Sequence, residues 1–215
     1  MAFGVSSRIT MSTTREMMKT VVAAFAPALK SVGYRKQGAR FWNESSPTVV
    51  RLVNIQSSSW NSGCEGQFTV NLGVYHRDLA ALHDGMPVVN SPLVQHCVVQ
   101  ARIGRLMPAR RDVWWSIDQK KDLVALGEKV ATIWIKYGNP WLEARSTLDG
   151  AREHLLSMKD YFLVAMASLA MGNPDDAQLW LDKAVESNPL CKDHVDAWRS
   201  TYLHQTAVRQ RRTKR

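Results

Sequence analysis

The sequence has few cysteines and no long apolar run, and these two absences argue against several classes of protein. Its cysteines, Cys64, Cys97 and Cys191, are odd in number, far apart and without a CxxC spacing, so reduced thiols fit better than a disulfide framework. No apolar run approaches the roughly 20 residues that span a bilayer. The N-terminus also lacks the apolar core of about 7–15 residues that a signal peptide needs. We therefore predict a cytoplasmic protein with no membrane partner.

The sequence also lacks the short motifs of the common enzyme chemistries. It contains no GxSxG elbow, no glycine-rich phosphate loop and no HExxH pair. Its clustered histidines and aspartates match no familiar spacing of metal ligands; they are His76, His83, His96, Asp78 and Asp84. Cys97 beside His96 is a poor catalytic dyad, because neighbours on a strand point apart. We predict no enzyme activity, no cofactor and no metal site.

Acidic residues are outnumbered, and the excess positive charge is unevenly distributed. The formal net charge is +9, and the last seven residues, RQRRTKR, carry five basic groups. Such a tail can bind phosphate or an acidic protein, or it can be a solvated, disordered end. Nucleic-acid binding would use this tail together with the PARR loop; the residues are Arg110, Arg111, Arg209, Arg211, Arg212, Lys214 and Arg215.

The hydrophobic periodicity and the β-branched runs of the sequence favour an α+β fold. Apolar residues recur at helical spacing over Thr13–Val32, and β-branched runs separated by turn residues follow. We predict an antiparallel sheet of about four or five strands that includes Val49–Ser57, Gln67–Tyr75 and Cys97–Leu106. The segment YRKQGARFWNE is a further strand with a turn or bulge at Gly38, and DVWWSI is a fifth strand or a helix approach. The predicted division is a sheet domain (13–117), a helical segment (118–208) and a basic tail (209–215).

The helical segment contains a repeated tripeptide, because GNP occurs at Gly138–Pro140 and again at Gly172–Pro174. The separation of 34 residues is the period of a tetratricopeptide repeat. Met158–Pro189 resembles one such repeat, with Gly172 ending the first helix and Ala177 at the helix crossing. One unit is too short to form a superhelix with its own groove. We predict a two-helix hairpin here.

Two strands share an uncharged polar face, which is the first candidate binding surface. In QFTVNLGVYH the apolar positions alternate with amide, hydroxyl and glycine positions. The candidate partner-binding side chains of this face are Asn54, Gln56, Thr69 and Asn71. Buried amides require hydrogen-bond partners. These groups therefore either meet a ligand or partner backbone, or bond to a covering loop or helix of the chain itself.

A second candidate surface lies at the aromatic edge that follows. Arg102 and Asp112 are close enough in sequence to pair across a turn. Their pair either orients the tryptophan edge or holds an arginine ready for an anionic group. Trp114 and Trp115 are adjacent; both are core residues, or one of them is an exposed anchor for a partner.

Four segments in order resemble one protein family. LKSVGYRKQGARFW is followed by VNIQSSS with FTVNLGVY, then by QARIGRLMPARRDVWW and the helices after it. About residues 20–145 resemble an uncharacterised bacterial family known only as a domain of unknown function, serial number four-three-zero-four. The resemblance implies a bacterial, cytoplasmic α+β domain without established enzyme chemistry.

Two functional hypotheses follow from these observations. The first is a non-catalytic protein-interaction module, such as an immunity protein, an antitoxin or an adaptor. The second is a nucleic-acid-binding protein that uses the basic groups and exposed aromatic side chains. The sequence leaves the oligomeric state open.

Overall fold

The computed structural model describes residues 13–203 and has the predicted α+β architecture. The strands are β1 (Arg35–Gln37), β2 (Arg40–Ser46), β3 (Val49–Ser57), β4 (Glu65–His76), β5 (Val99–Arg102) and β6 (Trp115–Asp118). The helices are α1 (Thr14–Lys30), α2 (Arg77–Leu82), α3 (Leu123–Ile133), α4 (Asn139–Ala144), α5 (Leu148–Ser157), α6 (Tyr161–Ala170), α7 (Pro174–Ser187) and α8 (Lys192–Trp198). An N-terminal helix, an antiparallel sheet and C-terminal helices are thus confirmed.

The sheet has the strand order β1-β2-β3-β4-β5, and β6 pairs with β4 off this path. The β4–β6 ladder is antiparallel and places Gln67 opposite Ser116 and Phe68 opposite Trp115. DVWWSI therefore contributes the last strand. YRKQGARFWNE forms two strands rather than one, because Gly38 has a φ of +60° and allows a tight turn between them.

One predicted strand is wrong in its bounds. Cys97–Leu106 was expected to be extended throughout, but only Val99–Arg102 pairs in the sheet, and Ile103–Leu106 is a turn of 3-10 helix. The cause is Gly104, which lies so close to the Arg111 carbonyl that a Cβ there would be 2.5 Å from it. The chain has to leave the sheet in order to make this approach.

The described chain divides into two compact units, and the first contains 13–41, Val53–Asn71 and Arg102–Gly138. Helix α1 begins with a capping box, in which Thr13 and Glu16 satisfy each other's backbone amides. Helix α3 packs against α1 so closely that a Cβ at Gly127 would be 2.7 Å from the Val21 carbonyl. Phe25 makes edge-to-face contacts with aromatic rings elsewhere in this unit, and these contacts fix α1 in the core.

The second unit contains Trp42–Leu52, Leu72–Ala101 and 139–203. The predicted hairpin is confirmed, since α6 and α7 meet at Gly172, whose φ is +81°. Pro174 occupies the first turn of α7, and Ala177 is fully buried. The likeness to a tetratricopeptide repeat stays a resemblance of the sequence.

A polar network ties the hairpin to the preceding helix in the second unit. Arg152 of α5 donates to Ser168 at 3.0 Å and to Asp176 at 2.8 Å. Ser168 and Trp180 also donate to Asp176. Each member of this network is bonded to another, so it stabilises the packing of the helices.

Candidate functional site

All eight candidate partner-binding residues lie in the first unit. Strands β3 and β4 place the polar ones on one side because side chains alternate along a strand. On the opposite side Val53, Ile55, Phe68 and Val70 are buried. The half-buried or exposed amides Asn54, Gln56 and Asn71 are called the amide face below.

Two side chains of the amide face are joined across the strands. The Asn71 Nδ2 group donates to Gln56 Oε1 at 2.7 Å. Gln56 is exposed and Asn71 is half-buried, so the pair lies at the surface. This bond fixes the two amides and leaves the Gln56 N–H groups and the Asn71 oxygen directed away from their mutual contact.

Thr69 does not belong to the open part of this side of the sheet. It is fully buried, and its hydroxyl donates to the Val113 carbonyl at 2.9 Å. The segment that contains Val113 therefore covers β4 at this position. The covered interpretation of the polar face is thus confirmed at Thr69, whereas Gln56 is exposed and its role as a binding residue stays a prediction.

The covering segment belongs to the connection between β5 and β6. We call this connection the arginine loop and count with it Arg102, the last residue of β5, and Trp115, the first residue of β6. Arg102 donates to Asp112 Oδ2, and the Trp114 ring nitrogen donates to the same oxygen at 3.3 Å. The Arg102 guanidinium also lies 5.2 Å from the centroid of the Trp114 ring, which is a cation–π contact. Arg102 and Asp112 thus pair as expected, although Asp112 lies in the loop and not on a strand.

This contact set favours the structural interpretation of the ion pair. Asp112 Oδ2 receives both donors, whereas its buried Oδ1 has no hydrogen-bond partner in the part of the chain that the structure describes. The carboxylate therefore holds Arg102 and Trp114 in place and closes the base of the arginine loop. Because Arg102 is bound to Asp112, its guanidinium is less available to a ligand than an unpaired cation would be.

The two tryptophans are both half-buried, so neither alternative, burial of both or burial of one with exposure of the other, describes them. Trp115 begins β6 and packs against Phe68 with ring centroids 5.4 Å apart. Trp114 precedes the strand and is held by Arg102 and Asp112. Trp115 therefore supports the fold, while Trp114 forms one wall of the arginine loop.

The tip of the arginine loop carries the exposed cations. A turn closes where the Arg110 amide donates to the Met107 carbonyl at 2.8 Å, and Arg110 has a φ of +44°. Arg105, Arg110 and Arg111 are all exposed. Of the predicted nucleic-acid contacts, Arg110 and Arg111 lie here. The described residues do not include the basic tail (209–215), so the disordered end that was one interpretation of it is outside them. The remaining predicted contacts lie in this tail; they are Arg209, Arg211, Arg212, Lys214 and Arg215.

Sequence reasoning missed one surface residue of the first unit. Trp60 is 92% exposed and lies between β3 and β4. Its neighbour Asn61 accepts from the Gln67 amide at 2.7 Å and donates to the Gln67 carbonyl at 2.9 Å, so the loop is anchored to β4. The serine-rich surroundings in SSSWNS were the available signal, because a tryptophan among turn residues has no strand to bury it.

The histidines and the buried cysteine of the second unit serve local structure. The His83 and His96 rings each accept a backbone N–H within three residues, at 3.0 and 3.2 Å, and His76 bonds to the Arg145 carbonyl. Burial lowers the pKa of His76 and raises the pKa of the Cys97 thiol, so both groups favour their neutral forms. Residues 13–203 contain no cluster of three or more His, Cys, Asp or Glu suited to a metal ion.

Comparison with known proteins gives one match. The family model described as Domain of unknown function (DUF4304) matches residues 25–144, which is more than half of the 215 residues. The match includes the amide face and the arginine loop, and α5–α8 lie outside it. No curated protein and no solved structure matches the chain. Within residues 13–203, no helix combines the length and apolarity needed to cross a membrane.

Proposed function

We propose, from the premise that the chain belongs to the family of the Domain of unknown function (DUF4304), that it is a non-catalytic protein-interaction module of the bacterial cytoplasm. The observation that carries the proposal is the surface hydrogen bond between Asn71 and Gln56. A pair of amides that is already oriented loses less conformational entropy on binding than free side chains do.

The chemistry of the amide face fits a peptide group. With the Gln56 oxygen and one Asn71 donor used in their mutual bond, the pair still offers N–H donors and a carbonyl oxygen. A backbone peptide unit presents one donor and one acceptor. The amide face therefore matches a partner's main chain.

Trp60 supplies an apolar anchor in the same unit. Its side chain is 92% exposed, whereas tryptophan is usually among the more buried residue types. Tryptophan is also enriched among the residues that dominate the binding energy of protein interfaces. An anchored loop that displays it fits a docking surface.

An immunity protein, an antitoxin or an adaptor would use such a surface in the same way, by holding one partner protein. The choice among these three rests on analogy with small bacterial interaction proteins. The proposal itself depends only on the surface of the first unit.

Site-specific cross-linking tests this function. A photo-reactive phenylalanine analogue replaces Ser59 in one variant and Lys129, exposed on α3, in a matched control. Ser59 is exposed beside Trp60, so its replacement leaves the bond between Asn71 and Gln56 intact. Both variants are irradiated in cells of a bacterial host that carries the protein. We expect a discrete nuclease-resistant protein adduct from position 59 and none from position 129. Identical adducts from both positions, or adducts that disappear with nuclease, would contradict the proposal.

Nucleic-acid binding is the second candidate, and one observation favours it. The described part of the first unit has fourteen Lys and Arg and six Asp and Glu, whereas that of the second unit has eight and thirteen. A basic unit attracts phosphate, and its binding should weaken steeply with salt. Fluorescence anisotropy with a random duplex at two salt concentrations separates this candidate from the first.

A further inference from the structure

We propose that the tip of the arginine loop, formed by Arg105, Arg110 and Arg111, recognises an acidic segment of the partner protein. This inference rests on the proposed function and names the chemistry of the partner. Its basis is the charge of the tip and the rigidity of the loop that carries it.

The base of the arginine loop is closed by three independent contacts. Arg102 pairs with Asp112, and the Thr69 hydroxyl bonds to the Val113 carbonyl. The third contact is the approach of Gly104 to the backbone of Arg111 and Val113, where a Cβ would be 2.5 Å from one atom and 2.8 Å from another. The tip is therefore presented by a preorganised loop, which reduces the entropy lost on binding.

The three cations of the tip are not neutralised within the described chain. Their side chains are exposed, and none of them has an ion pair or side-chain hydrogen bond to residues 13–203, in contrast to Arg102. The nearest carboxylate in sequence, Asp112, is occupied by Arg102 and Trp114. The tip therefore presents unopposed positive charge.

The charge of the first unit supports an acidic occupant. Its described residues carry an excess of eight positive charges, fourteen basic against six acidic. Arginine binds carboxylates through two parallel N–H groups, which gives these contacts directionality. Complementary charge also speeds the encounter of the two proteins.

The aromatic residues of the loop favour a protein over single-stranded nucleic acid. Proteins that bind single strands stack bases on exposed aromatic rings. Here the Arg102 guanidinium lies over the Trp114 ring, and Trp115 packs on Phe68. The two tryptophan rings of the arginine loop are thus engaged within the chain and are not free to stack on bases.

A binding assay with defined probes tests the inference on the full chain. The probes are a fluorescein-labelled peptide of alternating Glu and Ser, a labelled oligothymidylate and a labelled random duplex. The loop variant is Arg105→Gln with Arg110→Gln and Arg111→Gln. The control variant, Lys19→Gln with Lys30→Gln and Lys129→Gln, removes the same charge from exposed positions of α1 and α3.

We expect the loop variant to bind the acidic peptide roughly tenfold more weakly than the unmodified protein. The control variant should stay within about twofold of it, since exposed charges away from the contact contribute little. Equal losses in both variants, no binding of the peptide, or tighter binding of either nucleic-acid probe would overturn the inference. An adduct from position 59 that persists in the loop variant would contradict only this inference. Absence of that adduct when the arginine loop is unchanged would contradict the proposed function.

Discussion

Replacing Gly104 by alanine adds a methyl group where the arginine loop has no room for one. The new Cβ would lie 2.5 Å from the Arg111 oxygen and 2.8 Å from the Val113 nitrogen. Both are backbone atoms, so no side-chain rotation relieves the contact. The loop backbone has to move by roughly 1 Å to restore an ordinary van der Waals distance.

Overpacking of this kind costs about 1–3 kcal/mol of the free energy of unfolding. For a chain of this size the melting temperature should fall by about 2–12 °C. Gly85→Ala is the matched control, because its Cβ would meet only the His83 side chain, at 3.4 Å. The control should change the free energy of unfolding by less than about 0.5 kcal/mol.

Urea unfolding and hydrogen exchange together measure both consequences of Gly104→Ala. The amides of Arg111–Trp114 should exchange faster in Gly104→Ala than in Gly85→Ala, because the added methyl group prevents this segment from packing against residue 104. A Gly104→Ala protein with unchanged stability and unchanged exchange at these amides would refute the close approach, and with it the rigid base of the arginine loop.

Three further predictions concern other contacts. Thr69→Val keeps the side-chain volume but leaves the Val113 carbonyl without its donor, so it should lower the free energy of unfolding in urea by about 1–3 kcal/mol. Thr69→Ser keeps the hydroxyl and should preserve the slow exchange of the Val113–Trp114 amides. Equal exchange in the two variants would contradict the hydrogen bond. Ala177→Leu should overpack the α6–α7 crossing, where Ala177 is fully buried, and cost about 1–3 kcal/mol; an unchanged thermal melt would count against it. Burial, with a smaller effect from Arg145, lowers the pKa of His154 to about 4. The folded state then binds fewer protons than the unfolded chain, so the free energy of unfolding should fall as the pH drops from about 6.5 towards 4. His154→Gln should flatten this pH dependence in unfolding measured across that range.

Local sequence was sufficient for most elements of the fold. Val49–Ser57 was predicted to the residue, because its β-branched run is bounded by turn residues on both sides. Gly172 and Pro174 marked the hairpin turn, because each residue type suits one side of a helix break. The extent of β5 was wrong, because the approach of Gly104 to Arg111 is a tertiary contact that strand propensity does not contain.

The candidate site was only partly predictable, for the same physical reason. The short sequence separation of Arg102 and Asp112 predicted their ion pair, because the loop between them is enough to bring the two side chains together. The bond from Thr69 to the Val113 carbonyl spans 44 residues, and no periodicity indicates which part of a polar face will be covered. Trp60 was missed because composition assigns tryptophan to the core, whereas its exposure depends on the loop that holds it.

The affinity of the purified cross-linked partner for a variant that alters both the amide face and Trp60 tests the central claim most directly. Gln56→Ala with Asn71→Ala and Trp60→Ala is compared by calorimetry with Lys129→Ala, exposed on α3, after thermal melts show that each variant is folded. The account predicts that the triple variant binds at least about tenfold more weakly, while Lys129→Ala binds like the unmodified protein. A folded triple variant with unchanged affinity would contradict the claim that the amide face and Trp60 form the docking surface.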